Sequence, residues 1–135
     1  MRKAVTLMPL LATACVESHG IRPLRPLELA TAPYQQIAAE ARIGSLMYEG
    51  GCLMFSDDRK PGRLLPIWPD GSLFNGTLVT FHQPAKNEQR VAVGEEFVME
   101  GVRISWQQLP AQRYAPFWQQ CRAQPFMVSG VRPAD

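Results

Sequence analysis

The chain has 135 residues, of which 46% are hydrophobic and 19% are charged. This length suits one domain, and the apolar fraction is too high for a chain that stays disordered. The charge is nearly balanced, with 14 basic and 12 acidic side chains, and two of the basic ones are Arg2 and Lys3. Without those two the balance is even. An even balance argues against nucleic acid as a partner, because phosphate backbones are bound by an excess of positive charge.

The first residues follow the pattern of a secretory signal. Arg2 and Lys3 precede an apolar stretch, residues 4–11, and small residues lead up to Cys15, as in a signal peptide. The apolar stretch is shorter than the about 20 residues that cross a bilayer as a helix. We therefore predict a signal peptide over residues 1–14.

Three outcomes are consistent with this N-terminus. In the first, residues 11–15 resemble a bacterial lipobox, so Cys15 carries the lipid; Ala12 stands where that motif usually has leucine. In the second, ordinary signal peptidase cleaves after Ala14 and the protein is secreted to the periplasm. In the third, the protein is cytosolic and the pattern is misleading. Val16 resembles an outer-membrane sorting residue, so we expect a lipid-anchored protein of the outer membrane that faces the periplasm.

Residues 15–33 are predicted to hold the lipidated cysteine and a tether. Proline lacks a backbone donor and biases its neighbours towards extended conformations. The alternation of apolar and charged residues over 27–29 indicates a short edge strand at the end of the tether. A single folded domain is predicted for residues 34–135. The prolines of the tether are Pro23, Pro26 and Pro33.

The domain opens with an ambiguous segment and continues in β signals. Residues 34–41 hold good helix formers, but the apolar residues after them run straight into the turn at 50–51. We predict an extended segment over 39–48 that bends at Gly44. Two apolar strands then enclose a charged turn, and Pro66 places the second at a sheet edge or bulge. These strands cover residues 52–55 and 64–68.

Turn signals divide the rest of the chain into short strands. Asn75 and Gly76 form the strongest hairpin signal, whereas residues 107–120 contain two prolines and are predicted to be a loop or a single helical turn. Five to seven short strands at this spacing indicate an all-β fold, a small barrel or sandwich. The further predicted strands cover 77–82, 90–93, 97–99, 102–106 and 125–129, with a frayed tail from residue 130.

Cys52 and Cys121 are the predicted disulfide. If Cys15 carries lipid, two cysteines remain in an oxidising compartment and can pair. Closing a loop of this length stabilises the fold by about 4 kcal/mol in the chain-entropy model. The alternative is two buried free thiols. We predict no metal site, because no CxxC pair or nearby histidine completes one, and no cofactor.

The sequence contains no catalytic motif. His19 lies in the tether and His82 closes a strand, and neither has a partner at the spacing of a metal site or a catalytic triad. Two acidic pairs, at 57–58 and 95–96, lie in turns, where solvated side chains are the natural interpretation. We therefore predict a protein without enzymatic activity.

Aromatic side chains are the remaining candidates for a binding site. In a small barrel they could form a surface that binds an oligosaccharide or a peptide, as in OB-folds. The alternative is that they fill the core or cover an open barrel end. The predicted ligand contacts are Trp68, Tyr114, Phe117 and Trp118, the last three in the proline-flanked segment.

Residues 50–99 resemble a group of small, mostly uncharacterised bacterial envelope lipoproteins with an OB-like β-barrel. The resemblance rests on GGCLMF, LLPIWPDG, NG and VAVGEEFVM. It implies a fold and no activity. We expect a lipid-anchored binding or accessory module whose partner is an envelope protein or a saccharide. The alternative is a periplasmic enzyme inhibitor or a small hydrolase.

Overall fold

The computed structural model describes residues 20–84 and 86–134. The predicted signal peptide, Cys15 and His19 lie outside these residues. Strands make up 47% of the structure and helix 13%, which confirms a mostly β fold. The described residues form nine strands where five to seven were expected, and two of the nine are only two residues long. They are β1 (Thr31–Ala32), β2 (Glu40–Glu49), β3 (Cys52–Asp57), β4 (Arg63–Pro69), β5 (Leu73–Phe74), β6 (Leu78–His82), β7 (Glu88–Ala92), β8 (Phe97–Arg103) and β9 (Gln124–Pro133).

Six strands form one sheet in the order β1-β4-β3-β2-β8-β9, and β4 also pairs with β9. The neighbours β3–β2, β2–β8 and β8–β9 are antiparallel, whereas β4 and β9 are parallel. The sheet therefore turns back on itself. Closure is partial, because β3 and β4 pair only at Phe55–Leu64 and Ser56–Arg63.

Pro66 lies at the gap in this closure. On one side β4 pairs with β3 up to Leu64 and with β1 from Trp68 onwards. The backbone N–H of Trp68 donates to the carbonyl of Ala30, which directly precedes β1 (2.8 Å). Backbone nitrogens two residues apart in a strand point to the same side, so the nitrogen of Pro66 faces that side too. Proline has no N–H to donate, and Pro66 lies between the stretch that pairs with β3 and the stretch that pairs with β1, so no ladder hydrogen bond is lost there. The edge or bulge position predicted for this strand is therefore wrong: β4 lies inside the sheet, with β9 on its other side, and Pro66 is tolerated because it falls at a local gap in the pairing.

Two glycines allow close approach between the strands of the partial barrel. A Cβ atom on Gly44 would lie 2.0 Å from the carbonyl oxygen of Ser56, and one on Gly101 would lie 1.9 Å from that of Met127. Gly44 pairs with both β3 and β8, and the register of β8 against β9 shifts at Gly101. The extended segment predicted over 39–48 is confirmed as β2.

The strands β5, β6 and β7 form a separate antiparallel sheet. The predicted hairpin at Asn75 and Gly76 joins β5 to β6. The side-chain oxygen of Asn75 accepts hydrogen bonds from the backbone N–H groups of Thr77 (2.9 Å) and Leu78 (2.8 Å). Gly76 has a φ of 104°, which only glycine adopts readily. This sheet buries an apolar face in the main core through Phe74, Val79, Phe81 and Val91.

A 3-10 helix (Trp106–Gln108) and an α-helix, α1 (Ala111–Cys121), connect β8 to β9. The prediction of a loop over 107–120 is therefore wrong. Pro116 removes a helical hydrogen bond at a cost of about 3 kcal/mol. The burial of Tyr114 and Phe117 in a second apolar cluster and the covalent link at Cys121 offset that cost.

Two predicted boundaries also differ from the structure. Residues 97–103 form one strand, β8, because the irregularity at Gly101 lets the strand continue, and Trp106 lies in the 3-10 helix. The tail expected from residue 130 is part of β9, because residues 130–133 pair with β8. Both differences lengthen the β8–β9 ladder and so strengthen the partial barrel.

The end of the predicted tether packs on the domain. Thr31 and Ala32 form β1, which pairs in parallel with β4, and Ala30 and Ala32 are buried in the second cluster. The edge strand expected over 27–29 thus lies a few residues later. Over residues 20–84 and 86–134, no helix combines the length and the hydrophobicity that crossing a membrane requires.

Candidate ligand-binding groove

An open groove of about 790 Å³ lies at one end of the partial barrel. β2 begins there, β8 ends and β9 begins, while the 3-10 helix and the last turn of α1 complete the walls. This volume is within the range of small-molecule sites, about 300–1,000 Å³. The lining residues are Glu40, residues 103–108, Trp118 and residues 122–125.

Two indoles line the groove in different ways. The ring of Trp106 is half-buried, and its Nε1 donates a hydrogen bond to the carbonyl of Ala123 (2.9 Å), which fixes its orientation. Trp118 is 48% exposed. Trp106 thus belongs to the floor of the groove, whereas Trp118 offers exposed aromatic surface to a ligand.

Amide side chains supply the polar surface. Gln107 and Gln108 lie in the 3-10 helix, which Ser105 caps. The Oε1 atom of Gln108 accepts from the backbone N–H of Ser105 (2.7 Å), and the Nε2 atom of Gln124 donates to the carbonyl of Ile104. An amide that uses one of its groups internally keeps the other for a ligand. The groove therefore offers both donors and acceptors.

Glu40 holds two arginines at the edge of the groove. Its carboxylate accepts from Arg103 (2.8 Å) and from Arg42 (2.8 Å), and Arg42 also reaches Asp57 (3.1 Å). Burial favours the neutral form of the Glu40 carboxyl. The hydrogen bonds from Arg103 and Arg42 outweigh that effect and lower its pKa. Glu40 is thus a bound anion in an ion-pair network, which is unlike the raised pKa of a general acid.

A smaller cavity of about 220 Å³ shares Arg103 and Gln124 with the groove. It is lined mainly by the β3–β4 turn and the start of β4, and its exposed cations are Lys60, Arg63 and the shared Arg103. The two cavities are therefore neighbours across the Arg103 side chain.

The predicted aromatic contacts do not share one surface. Trp68 is 1% exposed and packs against Phe81 in the main core, with ring centroids 5.5 Å apart. Tyr114 and Phe117 are buried beneath α1, where the Tyr114 hydroxyl donates to the carbonyl of Thr31 (2.6 Å). Only Trp118 of the four is exposed in the described structure. Tyr114 and Phe117 serve the core because the loop expected to present them is a helix, and Trp68 does so because β4 directs it into the main core.

Cys52 and Cys121 form the predicted disulfide, with a Cα–Cα distance of 5.7 Å and a sequence separation of 69. Cys52 begins β3, but Cys121 ends α1 instead of beginning a strand. Gln120 adds a second link, because its Nε2 donates to the carbonyl of Gly50 (2.8 Å). The last turn of α1, which carries Trp118, is thus held against the β2–β3 turn.

The two aspartates of the first acidic pair have different surroundings. The Asp57 carboxylate is almost buried; it bonds Arg42 and accepts from the backbone N–H of Arg59 (2.7 Å). Burial raises the pKa of Asp57, but these hydrogen bonds outweigh burial and lower it. The interpretation of Asp57 as a solvated turn residue is therefore wrong. Next to it, Asp58 lies close to Glu96, and their interaction raises the pKa of Glu96.

His82 lies on the three-stranded sheet with an exposed ring, 3.9 Å from a carboxylate oxygen of Glu88. Among the described residues, no group of three His, Cys, Asp or Glu side chains is placed to hold a metal ion. The groove residues that sequence analysis missed are Arg103, Arg122 and the glutamines. A local signal existed only for the 3-10 helix, where Ser105 and Gln108 have the spacing of a capping box.

Comparison with protein-family models, with curated proteins and with solved structures found no significant match to this chain.

Proposed function

We propose that this chain is a non-enzymatic lipoprotein of the bacterial cell envelope, in which a small OB-like barrel acts as a lipid-anchored module that binds a saccharide. The strand pairing supports the fold assignment. β2, β3, β4, β8 and β9 pair in a ring of five that is incompletely closed, and OB-folds are partly open five-stranded barrels.

The position of the groove agrees with this proposal. In OB-folds, the connections after the first and fourth barrel strands help to bind the ligand. The corresponding connections here are the turn at Gly50 and Gly51 and the segment 104–123. The second of these supplies most of the groove walls.

The exposed face of Trp118 is the observation that carries the proposal. An indole offers a large, flat apolar surface on which the C–H face of a sugar ring can pack. The neighbouring amides are suited to sugar hydroxyls, because Gln107 and Gln108 keep their NH₂ donors for a ligand and Gln124 keeps its acceptor oxygen. Trp118 is also held in place by the disulfide three residues later.

Two features favour the envelope as the site of action. The N-terminal pattern predicts export and lipid on Cys15. The disulfide between Cys52 and Cys121 is of the kind that persists in oxidising compartments such as the periplasm. Mass spectrometry of the purified mature protein tests this part directly: we expect a lipid-modified Cys15 at the N-terminus, and Cys15→Ser should release the protein from the membrane fraction. An unmodified Cys15 on a membrane-free protein would contradict the anchor.

Binding can be tested with the full chain, its disulfide intact, against a panel of neutral and acidic oligosaccharides by calorimetry. We expect at least one oligosaccharide to bind and Trp118→Ala to remove that binding. Leu73→Ala is the matched control, because Leu73 is an exposed apolar residue on the three-stranded sheet. If Trp118→Ala binds as tightly as the wild type, the groove is not the site. If the bound sugar is cleaved, the protein is a hydrolase and the non-enzymatic proposal is wrong.

A further inference from the structure

We infer that the groove and the smaller cavity beside it form one cationic site, and that the saccharide it takes is anionic. This inference rests on the proposed saccharide-binding function and specifies the ligand class. Arg103 and Gln124 line both cavities, so the two lie side by side, and an extended ligand in one would pass the Arg103 side chain to reach the other.

The charge around the two cavities is unbalanced. Five basic side chains line them against two acidic ones, Glu40 and Asp57. The whole chain, by contrast, carries 14 basic and 12 acidic residues, so the excess over this small area is a local property that the fold creates. The basic residues are Arg42, Lys60, Arg63, Arg103 and Arg122.

Both acidic groups are already engaged. Glu40 is bound by Arg42 and Arg103, and Asp57 by Arg42 and by backbone N–H groups of the β3–β4 turn. Arg42 itself is 9% exposed and lies between the two carboxylates. These charges largely satisfy each other, and the cations that face solvent remain for a ligand.

Lys60 and Arg122 are the cations best placed to bind an anion. Within residues 20–84 and 86–134, no carboxylate forms an ion pair with either of them, whereas Arg63 pairs with exposed Glu49 (2.9 Å). An exposed pair of that kind contributes little and is easily exchanged for a ligand. Arg122 lines the groove near Trp118, and Lys60 lines the smaller cavity. An acidic sugar packed on Trp118 would therefore meet positive charge at both ends of the site.

Single-stranded nucleic acid is a less suitable ligand for this surface. Its binding sites combine a basic track with several aromatic side chains on which successive bases stack. Here one indole is exposed and the second is fixed in the floor of the groove. The amides between them match hydroxyl groups better than base faces.

The test compares two ligands with the same sugar backbone, one with free carboxylates and one in which methyl esters remove their charge. The full chain, with its disulfide intact, is titrated with hexagalacturonate and with its fully methyl-esterified counterpart at about 50 and about 300 mM salt. We expect the acid to bind at least about tenfold more tightly than the ester at low salt, with a smaller difference at high salt because exposed charges are screened. Lys60→Gln and Arg122→Gln should each weaken binding of the acid by up to about fivefold and leave the ester unchanged. Lys86→Gln, an exposed lysine on the β6–β7 loop, should change neither.

The outcomes separate this inference from the function on which it rests. If the acid and the ester bind equally well, and Trp118→Ala abolishes the binding of both, the inference that the ligand is anionic is wrong. The proposed saccharide-binding groove is then retained. If neither sugar binds at either salt concentration, the anionic-saccharide inference is wrong, and the broader oligosaccharide panel described above decides the proposed function. Tighter binding of a 12-residue oligothymidylate than of hexagalacturonate would replace the saccharide by nucleic acid. Tighter binding of the acid that depends on Lys60, Arg122 and Trp118 supports both proposals.

Discussion

Replacing Cys52 and Cys121 together by alanine tests how the helix that carries Trp118 is stabilised. Alanine is chosen because Cys52 is buried among apolar side chains, where a serine hydroxyl would need a hydrogen-bond partner. The double replacement also avoids leaving one free thiol.

The expected effect follows from the loop that the disulfide closes. A separation of 69 residues corresponds to about 4 kcal/mol of lost stability in the chain-entropy model. For a domain of this size, each kcal/mol lowers the melting temperature by about 4 °C, so the variant should melt about 15 °C below the wild type. The chain-entropy model places this effect in the unfolded chain, and Gln120 still links α1 to Gly50 in the variant. The folded variant should therefore keep its groove and its ligand affinity at low temperature.

Thermal unfolding followed by circular dichroism measures the shift, with reduced wild-type protein as the control. The reduced wild type should melt close to the variant. A shift below about 3 °C would refute the loop-closure reasoning, because the unfolded chain would then gain little freedom. A variant that melts as expected but has lost hydrogen-exchange protection over α1 would show that the disulfide holds the folded helix in place.

Three further predictions concern the barrel, its ion pairs and its helix. Gly101→Ala should lower the free energy of unfolding by at least about 3 kcal/mol in a urea titration, because the new Cβ would lie 1.9 Å from a carbonyl oxygen. The control is Gly20→Ala, which should change that free energy little because no atom lies within 4 Å of the added Cβ. The pKa values of Glu40 and Asp57 are lowered in the folded state. The two ionised carboxylates therefore stabilise the fold fully above the ordinary carboxyl pKa, and this stabilisation is lost as the pH falls through their pKa values in the folded protein. Urea titrations should thus show stability falling below about pH 4.5, and the fall should be smaller in Asp57→Asn. Tyr114→Phe should lower the free energy of unfolding by about 1 kcal/mol, because the hydrogen bond from the hydroxyl to the carbonyl of Thr31 is lost. An unchanged free energy would mean that water bonds this carbonyl equally well in the variant.

Local chemistry in the sequence determined the turns and most of the strands. The hairpin at Asn75 and Gly76 follows from side-chain hydrogen bonding and glycine conformation, and the extended segment over 39–48 from its apolar residues before the turn at 50–51. Both depend on a few neighbouring residues. The pairing of Cys52 with Cys121 was also predicted, because lipid on Cys15, itself a prediction, would leave these two as the one possible pair. These predictions needed no knowledge of how the strands are arranged in space.

The site depended on contacts between distant parts of the chain. Arg103 and Glu40 are 63 residues apart in sequence, and they meet because β2 pairs with β8. The helical state of residues 111–121 was likewise decided by tertiary packing, since Pro116 favours a loop locally while burial of Tyr114 and Phe117 favours the helix. That outcome buried two predicted ligand contacts and left Trp118 exposed. Sequence alone thus determined a β-rich domain with a disulfide, and only the fold decided which aromatic and basic side chains share a groove, because burial and charge proximity depend on strand pairing.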